Sequence, residues 1–141
     1  MTTYFIDTGF LIALEAADDK HHAEAIAAWR EIRKRRVAFV TTTYVFDEVV
    51  TFFNSPGHHA KALTIGETLQ NSRIVTLVHV DEPIFAEAWR EFAHQSDKRY
   101  SLTDCVCGDE TPANQDRACL RQTFHPGGIR ALAVTENHSR A

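Results

Sequence analysis

"TYFIDTGFLIAL", residues 3–14, decides the fold. Tyr4, Phe5 and Ile6 form a short continuous apolar run, the pattern of a strand buried on both faces, and Asp7 ends it. Thr8 stands where it can cap a helix from Gly9 to Leu14, so the stretch predicts strand, acid, turn and helix in that order.

The same alternation continues outward. "DDKHHAEAIAAWREIRKRR" reads as a helix with Ala25, Ile26, Trp29 and Ile32 on one apolar stripe, its basic end meeting the helix C-terminus. "VAFVTT" and "IVTLVHV" are further β-rich runs. Between and after them come helical patterns: "TYVFDEVVTFFN" up to Pro56-Gly57, "HAKALTIGETLQN", and "EPIFAEAWREFAHQ" with Pro83 in its first turn. Strands alternating with helices of this length predict an α/β fold, a parallel sheet in a three-layer α/β/α arrangement.

A chain of 141 residues fits one domain able to bury a core unaided. Its 44% apolar and 24% charged residues are those of a globular protein, and a net charge of −4 argues against bulk coating of nucleic acid, so any RNA contact is local. Three cysteines crowded at 105, 107 and 119, with no long apolar run, point to a reducing, cytoplasmic setting and no membrane span.

Three acids carry the chemistry. Asp7 ends the first strand, and ligands of open parallel sheets bind beyond the carboxyl ends of strands; an Asp that merely caps the next helix is the alternative. Glu48 lies three residues after Val45 and four before Phe52, which predicts a place on the apolar stripe with Val49 and Phe53. There it needs a cation, metal or an arginine of "RKRR". Asp104 follows Ser101 at the spacing of a capping box, a role compatible with facing a cleft. Converging carboxylates without His or Cys form a hard, all-oxygen site suited to Mg²⁺ or Mn²⁺, able to activate water against a phosphodiester.

In "FIDTGFLIAL", "TTTYVFDEVVTFF" and "DKRYSLTDC" the chain resembles the PIN-domain family, specifically the VapC-type toxins of toxin–antitoxin pairs, over about residues 3–105. The resemblance implies a Mg²⁺-dependent endoribonuclease acting on structured RNA, often dimeric, and a cognate antitoxin that blocks its cleft. It implies Asp7 and Asp104 as metal ligands and Glu48 as the third acid holding the metal or its water. Thr8 and Ser101 match small hydroxyl residues beside the acids.

Beyond Asp104 the resemblance stops. The family continues with an apolar helix, a last core strand ending in an "FDxHF"-like motif, and "QAGF"; residues 106–141 show neither helical nor alternating period. The expectation is a PIN-like domain over 1–105 whose last helix and strand are missing, followed by a disordered tail over 106–141. Permitted codons for Leu120–Ala131, moved one base forward, read FDKHFIQAGFE, and the same shift from Val106 reads FVVMRRRRIRIAPA. A frameshift after Asp104 accounts for both. Its physical cost, an open sheet edge and an uncovered core, compares with the about 5–15 kcal/mol that holds a domain together, so poor folding and weak or absent nuclease activity are expected. A catalytically inactive, degraded fold that only binds an antitoxin is the alternative function. A zinc site from Cys105, Cys107, Cys119 and His125 fits no common knuckle spacing.

Overall fold

The computed structural model describes residues 2–94, 101–108, 117–120, 122–123 and 130–131. The chain divides into two compact units, residues 1–40 with 115–141, and residues 41–114.

In the first unit, β1 (Thr2–Ile6) pairs in parallel with β2 (Val37–Thr42) along Val37–Val40, and on its other side with β4 (Arg117–Leu120). Tyr4, Phe5 and Ile6 are all buried, so both faces of β1 are covered, as their unbroken apolar run predicts. The helices α1 (Thr8–Glu15) and α2 (His22–Arg33) belong to the same unit. An aromatic series joins these elements: Phe10 lies 6.4 Å from Trp29, Trp29 4.6 Å from Phe39, and Phe39 6.2 Å from Tyr4, centroid to centroid. Burying side chains such as Phe5 and Phe10 contributes about 1.5–3 kcal/mol each. His22 Nδ1 donates to the Ala13 carbonyl at 2.7 Å, a part-buried bond that closes the end of α1.

The second unit holds α3 (Thr43–Phe53), α4 (His59–Asn71), β3 (Val75–Val78), α5 (Glu82–His94) and α6 (Leu102–Gly108). Val45, Val49 and Phe53 form the buried stripe of α3. A short turn at Ser55–His58, with Gly57 at φ 81°, folds α4 back along α3. There Gly66 lets Phe46 approach so closely that an added Cβ would sit 3.2 Å from its ring. Ala88, Cys105 and Val106 pack α5 on α6, with Tyr44, Val80, Ile84 and Leu102 around them.

The structure carries the fold further than the sequence suggested. Helix α6, whose start the spacing of Ser101 and Asp104 predicts, continues past position 105 to Gly108, and Arg117–Leu120 supplies a strand beside β1; neither the continuation nor the strand was expected. Unpaired donors and acceptors along β1 would be costly when buried, and a four-residue stretch without proline suffices to satisfy them. A two-residue antiparallel pair, β5 (Gln122–Thr123) with β6 (Arg130–Ala131), follows. The rest of the expected tail lies outside the described residues.

Candidate active site

Asp7 stands immediately after β1, at the shared carboxyl end of the parallel strands of the first unit. Its backbone stays extended, at φ −89° and ψ 173°, while its side chain caps α1: Phe10 N donates to Oδ1 at 2.9 Å. Capping thus falls to Asp7 and not to Thr8, which becomes the first helical residue. A carboxylate offers about four lone-pair sites, so accepting the Phe10 amide does not by itself exclude a cation. Beside it, the Thr8 hydroxyl is buried and has no hydrogen-bond partner among the described residues. Left without a partner, a buried hydroxyl costs about 1–3 kcal/mol.

Glu48 belongs to the second unit and departs from expectation. It is exposed, as are its neighbour Asp47 and Phe52 one turn on. The buried stripe of α3 runs through Val45, Val49 and Phe53, and a residue one position before a stripe member is rotated about 100° away from it. Glu48 and Phe52 therefore share a flank rather than the core face. Among the described residues no ion pair or hydrogen bond of the Glu48 side chain is present, and its exposure removes the need for a buried partner. The start of α3 is fixed firmly: Thr42 Oγ1 accepts from Val45 N at 3.4 Å, and Thr43 Oγ1 accepts from Val80 N at 3.1 Å.

Asp104 is the third residue of α6. Cys105 N donates to the Ser101 carbonyl at 3.1 Å, the first bond of the helix, which puts Ser101 at the N-cap and Asp104 at N3 as the sequence spacing requires. The Asp104 side chain lies outside the described residues, as do those of Cys107, Cys119 and His125. Tyr44 of α3 touches the same apolar cluster that anchors α6, so the helices carrying Glu48 and Asp104 share one support. Among the described residues no three His, Cys, Asp or Glu side chains come together.

Sequence patterning did not foretell a groove of about 370 Å³ between α3 and α4, lined by Phe46, Val50, Ala62, Leu63 and Gly66. Thr51, Asn54, His59, Glu67 and Gln70 complete its lining, and neither Asp7 nor Glu48 is among them. No helix among the described residues is long and apolar enough to cross a membrane.

Known proteins bear on this arrangement. The PIN domain family matches residues 4–108. The 23S rRNA-specific endonuclease VapC20 of Mycobacterium tuberculosis, in two strains, is 27% identical over 102 residues, 72% of this chain and 75% of the relative. The crystal structure of Mycobacterium tuberculosis VapC20, a sarcin–ricin loop cleaving toxin, aligns with a TM-score of 0.66 and 25% identity over 74% of this chain and 78% of that one.

Proposed function

Because this chain belongs to the PIN-domain family, we propose that it is a metal-dependent endoribonuclease of the VapC toxin type, hydrolysing RNA phosphodiester bonds and restrained by a cognate antitoxin. The observation that carries the reading is Asp7, an acid at the carboxyl end of β1 within the matched stretch, beside a buried hydroxyl that lacks a partner among the described residues. The relative's action on 23S rRNA makes structured ribosomal RNA the first substrate to try.

Asp7, Glu48 and Asp104 form an all-oxygen donor set, which fits Mg²⁺ or Mn²⁺ better than zinc. When bound, such a cation supplies an activated water and offsets charge on the phosphate. The chain's own residues do the rest. Asp7, held by the Phe10 amide, would contribute a fixed carboxylate, and the Thr8 hydroxyl beside it would orient a water. Asp104 stands in the first turn of α6, and Glu48 would have to reach the cation from the exposed flank of α3. Incubating the full chain with ribosomal RNA, with and without Mg²⁺, should give cleavage that needs the cation and disappears in Asp7→Asn.

The exposure of Glu48 favours one second reading, a catalytically inactive fold that retains antitoxin binding. That reading predicts capture of the antitoxin with RNA left intact in Mg²⁺ and Mn²⁺ alike.

A further inference from the structure

"REIRKRR", residues 30–36, holds Arg30, Arg33, Lys34, Arg35 and Arg36, a third of the chain's 15 lysines and arginines, in a protein of net charge −4. All five are exposed. The α2 macrodipole accounts for Arg30 and Arg33 in its last turn, but its effect fades within that turn, and Arg35 and Arg36 lie past the C-cap at Lys34. Lys34 pairs with an acid, Glu31 Oε1 at 2.7 Å, which holds the Glu31 carboxyl below its ordinary range. Arg35 adds a weaker pull on the same carboxyl, and among the described residues no salt bridge is formed by Arg30, Arg33, Arg35 or Arg36. The Arg33 guanidinium lies 5.7 Å from the centre of the Trp29 ring, which is itself packed against Phe39. That platform holds a planar cation in place at the surface.

The register fixes where this cluster sits. Arg36 precedes Val37, whose partner across the sheet is Thr2, at the amino end of β1. Asp7 lies five residues further along the same strand direction, about 17 Å away at 3.3 Å per residue. The cations and the acid thus mark opposite edges of one sheet.

We propose that the Arg30–Arg36 surface grips phosphates of an RNA whose scissile bond lies at the opposite edge, so that the enzyme takes substrates extending well beyond the cleavage site. The proposal rests on the ribonuclease reading above. Arginine in four of five positions favours it, because a planar guanidinium meets phosphate with two parallel bonds, and a chain with overall negative charge needs a local positive surface to hold a polyanion.

The test is RNA binding by fluorescence anisotropy, using the full chain, an RNA stem–loop, EDTA to prevent cleavage, and KCl from about 50 to 200 mM. Each lost phosphate contact reduces the slope of log K against log salt by about 0.7–0.9, so Arg35→Gln/Arg36→Gln should lower it by about 1.5. Arg35→Lys/Arg36→Lys should keep most of the slope, and Arg90→Gln on α5 all of it. An unchanged slope in the glutamine double variant overturns the proposal, as does an equal fall in Arg90→Gln. Loss of binding to an acidic polypeptide with RNA binding intact also overturns it and assigns the surface to a protein. Because no cleavage is measured, failure here leaves the nuclease reading standing, and an altered slope in a chain that never cleaves would overturn that reading alone.

Discussion

Asp7 has two roles that substitution can separate. Its Oδ1 accepts the Phe10 amide at 2.9 Å, and its negative charge suits a cation. Asn offers the same acceptor and ranks with Asp as an N-cap, so Asp7→Asn keeps the cap and loses the interaction of a negative charge with the start of α1, about 0.3–1 kcal/mol. Asp7→Ala loses the cap as well, a further 0.5–2 kcal/mol or so. Urea denaturation should therefore rank the three proteins with Asn close to wild type and Ala clearly below it. Adding Mg²⁺ isolates the second role, because at a hundred times its dissociation constant a cation bound only to the folded state adds about 2.7 kcal/mol. Wild type should gain on that scale, and Asp7→Asn should gain far less. If Asn destabilises as much as Ala, the capping bond is not what Asp7 contributes to stability; if Mg²⁺ stabilises Asp7→Asn as strongly as wild type, the cation is held elsewhere.

Phe5 is almost wholly buried at the centre of β1, so Phe5→Ala should cost about 3–5 kcal/mol and leave little soluble folded protein, checked by denaturation and expression yield. Thr8→Val removes the unpartnered buried hydroxyl at equal volume; without Mg²⁺ it should be neutral or stabilising by about 1 kcal/mol, with the balance reversing when Mg²⁺ is present if that hydroxyl holds an ion-bound water. Glu48→Gln should change stability by less than about 0.5 kcal/mol, as an exposed residue does, while weakening Mg²⁺-dependent stabilisation; a large loss of stability without metal would show a structural partner instead. DNA sequencing of the gene should find bases at codons 106–131 that read FVVMRRRRIRIAPA and FDKHFIQAGFE one base forward; other synonymous codons there would rule out the frameshift.

Much of the fold was legible because burial on both faces leaves an unbroken apolar run: Tyr4, Phe5 and Ile6 announced β1, and the acid ending the run fell at the strand's carboxyl end. Ser101 and Asp104 likewise carried their helix start in their spacing. Glu48 was harder. A helical wheel gives angles but not the width of the buried stripe, and here Phe52, the residue used to extend that stripe, is 58% exposed. The strand at Arg117–Leu120 had no periodic signal, and its pairing with β1 is a matter of backbone groups, which leave no mark in residue type. The swap of capping from Thr8 to Asp7 turned on a shift of one residue in the helix start, which pattern reading does not resolve.

The pairing of Thr3–Ile6 with Arg117–Leu120 also has a temporal side. A ribosome adding roughly 5–20 residues per second delivers the second partner about 6–23 s after the first. Throughout that interval one flank of β1 waits for this partner. A flank left open for that long is one that another copy of the chain can join.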